Sequence, residues 1–201
     1  MNHRITYIHG LFENADSYLY REIQRFLEEQ KCAYEGVELY QRVQFGSYSF
    51  QKEVERIEEI VHRNNPTMII AHSLGAYVAL QLQNSYPLLL VEPSLAIADI
   101  VIPNIRYRDG TLIYDDGQSQ VELSPEFVES LSLAPSIEKA AQHAKKKDIH
   151  IVGAGRGGYL VAGSYHSCIG QSSYTLLPNS DHAFSDKKGL DDLFEIIKQR
   201  L

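Results

Sequence analysis

The sequence predicts an α/β domain with a mostly parallel central sheet, helices on both faces and a small cap insertion. Three observations carry this. Short apolar runs alternate with amphipathic stretches of helical period, the pattern of strands joined by helical crossovers. The run at residues 88–91 is apolar at every position, as a strand buried on both faces must be. The alternation lapses from about residue 94 to 147 and then resumes, which marks an insertion inside one domain spanning 1–201. With 201 residues, 44% of them hydrophobic, the chain can bury a full core without metal or disulfide staples.

Taken in order, residues 4–9 form the first strand. Residues 14–30 read as a helix, with Asn14, Asp16 or Ser17 as caps and Leu19, Ile23, Phe26 and Leu27 on one face. Residues 37–41 form a second strand. Val54, Ile57, Ile60 and Val61 mark a helix that Asn64-Asn65-Pro66 stops before the strand leading to Ser73. Residues 75–85 are the next helix. Within 94–147 lie a hairpin around Asp115-Asp116-Gly117 and helical stretches after Ser124-Pro125 and after Ser136. Strands resume at 149–152 and 174–177. The closing helix sets Leu190, Leu193, Phe194, Ile197 and Leu201 on one stripe to dock on the sheet.

Composition excludes several classes of function. A formal charge of −7 disfavours a nucleic-acid surface, and the one basic run, Lys145-Lys146-Lys147, suits a helix C-terminus. No apolar stretch reaches membrane-spanning length, and the first residues run into a strand without a signal-peptide core, so a cytoplasmic protein is expected. Cys32 and Cys168 are far apart and form no CxxC, as expected of idle thiols in a reducing compartment.

The most informative stretch is Ala71-His72-Ser73-Leu74-Gly75, which follows an apolar run and opens a helix rich in small residues. A serine hydroxyl is a poor nucleophile until a base takes its proton, and a sharp strand-to-helix turn lifts it to where a base can reach. Small residues on either side, Ala71 and Gly75, permit that turn. Of eight histidines, His182 is the best base, because it lies between the last strand and the final helix. The N–H groups of Leu11, after the first strand, and Leu74, after the serine, are the natural oxyanion donors. His9 and His72 either pack or line the pocket. Arg156, in the glycine-rich run 153–158, is a candidate for an anionic substrate group, and that run reads as a permissive loop at the mouth of the site. Its match to G-x-G-x-x-G comes too late in the chain for a dinucleotide site.

Tyr7-Ile8-His9-Gly10, Ala71-His72-Ser73-Leu74-Gly75-Ala76-Tyr77, Val91-Glu92-Pro93-Ser94 and Asp181-His182-Ala183-Phe184 together resemble the α/β-hydrolase superfamily and, within it, compact bacterial serine esterases of the YqiA type. The resemblance spans nearly the whole chain. It implies the α/β-hydrolase fold and an esterase or thioesterase that acts on a small acyl group without metal or organic cofactor. One departure matters: the triad acid of that family usually follows the strand that here reads Ile149-His150-Ile151-Val152, and no carboxylate stands there. Some lipases of the superfamily carry the acid one strand earlier, where this chain has Glu92. The expected set is therefore Ser73, Glu92 and His182, since a carboxylate at either strand end can hold the imidazole in the required tautomer. Asp99, Asp109, Asp115 and Asp116 in the cap are fallbacks, and a dyad without an acid is a further alternative. The alternative from another class is a hydrolase scaffold without turnover that serves in binding or regulation. Oligomeric state is not legible.

Overall fold

The computed structural model describes residues 3–40, 45–83, 85–117, 119–144, 148–156 and 159–201. The basic run 145–147 and the last two glycines of the run 153–158 lie outside the described residues. The chain runs β1 (Arg4–Leu11), α1 (Tyr18–Glu29), β2 (Ala33–Leu39), α2 (Phe50–Asn64), β3 (Met68–His72), α3 (Leu74–Gln81), β4 (Leu88–Val91) and α4 (Ile97–Val101). After a short 3-10 turn follow β5 (Ile105–Arg108), β6 (Thr111–Asp115), β7 (Gln120–Leu123), α5 (Pro125–Leu131) and α6 (Ile137–Ala144). The chain closes with β8 (Ile149–Arg156), α7 (Tyr159–Ile169), β9 (Ser173–Asp181) and α8 (Lys187–Arg200).

Six strands form one parallel sheet in the order β2-β1-β3-β4-β8-β9. Successive side chains of a strand point to opposite faces, so a strand covered on both sides must be apolar at every position. Two cores result. On one face, Ile5, Tyr7, Met68, Ile70, Leu89, Val91 and Val152 pack under α1 and α8. On the other, Ile8, Ile69, Ala71, Leu88, Leu90, Ile149 and Ile151 pack under α2, α3, α6 and α7. The stripe read from α8 docks as expected, with Leu190, Leu193 and Ile197 buried and Phe194 stacked on Phe26 of α1. Burial of each such side chain stabilises the fold by roughly 1.5–3 kcal/mol.

α3 runs along the end of β1 so closely that a β-carbon at Gly75 would lie 2.5 Å from the carbonyl oxygens of Ile8 and His9. Both obstacles are backbone and cannot swing away. Gly75→Ala should lower the melting temperature by roughly 6–12 °C, through about 3 kcal/mol of overpacking, in a calorimetric scan.

Three local readings need correction. β8 continues to Arg156, so Gly153 and Gly155 are strand residues and not a permissive loop. A β-carbon at Gly155 would overlap the backbone of Pro178 at 2.2–2.6 Å, so that glycine serves the close approach of β8 and β9. β9 likewise runs beyond the expected 174–177 and delivers His182 directly from its end. The second strand lies at Ala33–Leu39, earlier than 37–41.

The segment that interrupts the alternation holds α4, a three-stranded antiparallel sheet β5-β6-β7, α5 and α6. β6 and β7 make the hairpin around Asp115-Asp116-Gly117, and α5 starts as its sequence requires, with the Ser124 hydroxyl accepting from Phe127 N–H and Pro125 opening the helix. Tyr114 of β6 packs against Phe45 and Phe12, and Phe127 of α5 packs against Phe45. Phe12 follows β1, so this cluster sits at the carboxyl end of the parallel sheet. Ile113 points to the opposite face of the small sheet, beside Arg106 and Glu122, and Tyr107 stands 75% exposed, so neither joins the aromatic wall.

Candidate active site

Ser73 stands alone between β3 and α3 with φ 53° and ψ −122°, a backbone conformation that costs an ordinary residue about 1–3 kcal/mol. The surroundings enforce it. Ser73 N–H donates to the Val91 carbonyl at 3.1 Å, while the Ser73 carbonyl accepts from Ala76 N–H at 3.0 Å and Ser94 N–H at 3.2 Å. Leu74 is the first residue of α3, where the N–H groups lack helical acceptors. Leu11 closes β1, opposite Leu39 of β2 after a shift in register.

His182 meets this serine from 109 residues away, with Nε2 3.1 Å from Oγ. Its turn is fixed by Asp181, whose Oδ1 accepts from Ala183 N–H at 3.1 Å and Ser185 N–H at 2.9 Å, and whose other oxygen takes the Ser185 hydroxyl. The buried ring of Phe184 anchors the same turn. Asp181 is thus engaged in holding the loop and not the imidazole. Desolvation by the packed surroundings, with the positive charge of His72 nearby, pulls the His182 imidazole down to about 4 against the opposing carboxylates Glu13 and Asp181. The imidazole is therefore neutral across the physiological range.

Glu92 follows β4, fully buried, at φ 45°. Its Oε2 accepts from Ala154 N–H at 2.6 Å, while Oε1 is buried without a hydrogen-bond partner. The expected bond to His182 is not made in this structure, because the Ala154 amide holds the carboxyl toward β8. Burial pushes the carboxyl up to about 7, against the Ala154 N–H and the charge of His72. Among the described residues, the second ring nitrogen of His182 has no hydrogen-bond partner.

Glu13 is a residue that sequence reasoning missed. Its Oε2 accepts from Gly10 N–H at 2.7 Å, and its Oε1 lies 2.7 Å from His72 Nδ1. His72, buried directly before Ser73, places its other nitrogen 2.9 Å from the carbonyl oxygen of His182. Burial alone would raise Glu13, but the charge and contact of His72 hold it down at about 2. Burial alone would lower His72, but Glu13 and the His182 carbonyl outweigh it and raise the imidazole. The only local signal was a carboxylate three positions after Gly10, which by itself reads as a turn cap.

The remaining candidates are dispersed. His9 is buried between Tyr7 and Tyr20, at 5.0 and 4.4 Å between ring centres, and burial lowers it to about 4, so it is a packed core residue. Arg156 ends β8 in register with Asp181 and exposes its side chain to solvent. Among the described residues no cluster of three metal-ligating side chains occurs, and no helix is long and apolar enough to cross a membrane. Backbone strain gathers at this end of the sheet: Phe12, Ser73, Glu92 and Phe184 all have positive φ, and they lie just beyond β1, β3, β4 and β9.

No family model matches the sequence, and no curated protein matches it. Solved structures do. Est1E from Butyrivibrio proteoclasticus superposes with a TM-score of 0.76 at 16% identity, over 98% of this chain and 86% of that one. The esterase domain of a Rhodothermus marinus protein gives 0.67 at 16%, over 98% and 85%. Alpha/beta hydrolase domain-containing protein 10 from mouse gives 0.65 at 11%, over 98% and 88%. At such identities the likeness is one of architecture, and with the six-stranded parallel sheet and its two helical layers it shows that this chain has the α/β-hydrolase fold.

Proposed function

We propose that this protein is a serine hydrolase that cleaves a small carboxylic ester or thioester through an acyl-enzyme on Ser73. The observation that carries the reading is a serine held in a strained strand-to-helix turn with a neutral imidazole nitrogen 3.1 Å from its hydroxyl. His182 Nε2 takes the proton as Oγ adds to the substrate carbonyl carbon. The N–H groups of Leu11 and Leu74 receive the oxyanion. When the intermediate collapses, the bond to the leaving oxygen or sulfur breaks and His182 returns the proton to it. Water then repeats the sequence on the acyl-enzyme. Glu92 is the acid in this proposal: its Oε1 has no hydrogen-bond partner, and the carboxyl must turn away from Ala154 N–H to bring that oxygen to the outer nitrogen of His182. The cap, with Tyr114 and Phe127 behind Phe12 and Phe45, forms the wall of the acyl site. The esterase names of two structural neighbours agree with this chemistry.

Two groups set the pH profile. His182 must be neutral and titrates at about 4, while Glu92 must be charged and titrates at about 7. kcat/KM for a simple aryl ester should therefore rise in two steps with pH, the lower near 4 and the upper near 7. A single step near the usual histidine value would contradict the assignment.

Among the described residues no carboxylate bonds the His182 ring, which favours a second reading, a scaffold without turnover. A fluorophosphonate probe separates the two. Labelling at Ser73 supports the hydrolase, and folded protein that stays unlabelled supports the scaffold.

A further inference from the structure

We propose that Glu13 and His72 form a positioning strap that ties the oxyanion loop to the loop of the general base. One oxygen of Glu13 holds Gly10 N–H and the other holds His72, while His72 holds the main-chain carbonyl of His182. The inference rests on the hydrolase reading and adds to it two positioning residues that touch no substrate.

The protons can be assigned from the partners. A carbonyl oxygen only accepts, so His72 Nε2 carries a hydrogen and donates it to His182. Nδ1 faces a carboxylate oxygen at 2.7 Å, a distance at which two bare lone pairs would repel, so it is protonated as well. This contact has ion-pair distance without the straight line of a hydrogen bond, so charge holds it. His72 is therefore an imidazolium, 1% exposed, paired with a carboxylate whose second oxygen is also satisfied. A buried pair of this kind is weak evidence of stability, but breaking it leaves an uncompensated charge. Its geometry is what matters here: one residue of the pair directly precedes the nucleophile, the other directly follows the oxyanion turn, and the chain ends on the base itself.

The groups that face His182 are Ser73 and His72 from the end of β3, Glu13 from the loop after β1, and Asp181 from β9. Those that face His72 are Glu13, Glu92 after β4, His9 of β1 and the His182 carbonyl. The strap thus places a positive charge beside the base, with ring centres 4.8 Å apart, and disfavours its protonation.

The test uses the full chain as wild type, His72→Gln and Glu13→Gln, with 4-nitrophenyl acetate hydrolysis followed from about pH 4 to pH 9, fluorophosphonate labelling and thermal melting. Both variants should lose about tenfold to a hundredfold in kcat with KM within about twofold, because a base displaced by a fraction of an ångström misses its geometry. Both should also shift the lower step of the pH profile upward, His72→Gln more, since it removes the imidazolium charge and keeps the Glu13 carboxylate, whereas Glu13→Gln loses both and His72 is the larger influence on His182. Glu13→Gln keeps the shape of a partly exposed side chain and decides the matter should His72→Gln fail to fold. Wild-type kcat and an unmoved lower step in Glu13→Gln would overturn the strap. So would losses that track melting temperature with no shift in the profile. Wild-type protein that is folded but unlabelled would overturn the hydrolase reading, and the strap with it.

Discussion

Ser73→Ala is expected to abolish fluorophosphonate labelling and to lower ester hydrolysis by about a million-fold, as loss of the nucleophile does in a working serine hydrolase. The size follows from the geometry. Removing Oγ leaves in place the backbone N–H groups proposed to receive the oxyanion, so only the residual catalysis of binding and electrostatics should survive. His182→Ala should cost nearly as much, and the double variant little more than either, because the two groups act as one device across a 3.1 Å contact. The measurement is intact mass after probe treatment, with initial rates on a short aryl ester. Additive losses in the double variant, or a folded wild type that the probe leaves untouched, would remove the nucleophile assignment.

Glu92→Gln should slow turnover above pH 7 by about a hundredfold to ten-thousand-fold and erase the upper step of the pH profile. The amide keeps an oxygen for Ala154 N–H, so the fold is retained. Stability should move in the opposite direction. A buried carboxyl raised from 4.5 to about 7 is protonated in the folded chain while the unfolded chain ionises. The folded state therefore loses stability as pH rises through that window, by about 3 kcal/mol once both states are charged. Below pH 4.5 both states are neutral and no penalty exists. Glu92→Gln removes the penalty, so urea midpoints of variant and wild type should agree in acid and diverge above pH 7 in favour of the variant. A more stable protein with unchanged kcat would mark Glu92 as a buried carboxyl without a catalytic part.

What the sequence disclosed, and what it did not, divides by the range of the interaction. The sheet was legible because burial on both faces writes itself into every position of residues 88–91, and α8 because its stripe repeats with helical period. Ser73 and His182 were legible as candidates because each lies at a strand end that local signals mark. β5 was not: its alternation Ile-Arg-Tyr-Arg lasts only four residues, and the strand lies largely open to solvent, so no buried face marks it. The glycines of β8 were misread, since glycine marks both loose turns and tight contacts, and only the approach of Pro178 distinguishes them. The orientation of Glu92 depends on an amide 62 residues away, and the partnership of Glu13 with His72 on the pairing of β1 with β3. Neither leaves a trace in local pattern.

The four positive-φ residues at the carboxyl ends of β1, β3, β4 and β9 set a limit on how this protein can be improved. At roughly 1 kcal/mol or more apiece, their sum is a sizeable part of the margin by which a domain of this size is folded. Selection for thermal tolerance alone would be drawn first to Ser73, because glycine there relaxes the backbone for the loss of one hydroxymethyl group, whereas at Phe12 and Phe184 packed rings offset the strain. Such a variant would gain heat resistance while removing the hydroxyl that meets His182. Engineering for endurance should instead work on the exposed faces of α1 and α2, leaving the tension at the end of the sheet that carries Ser73 and His182.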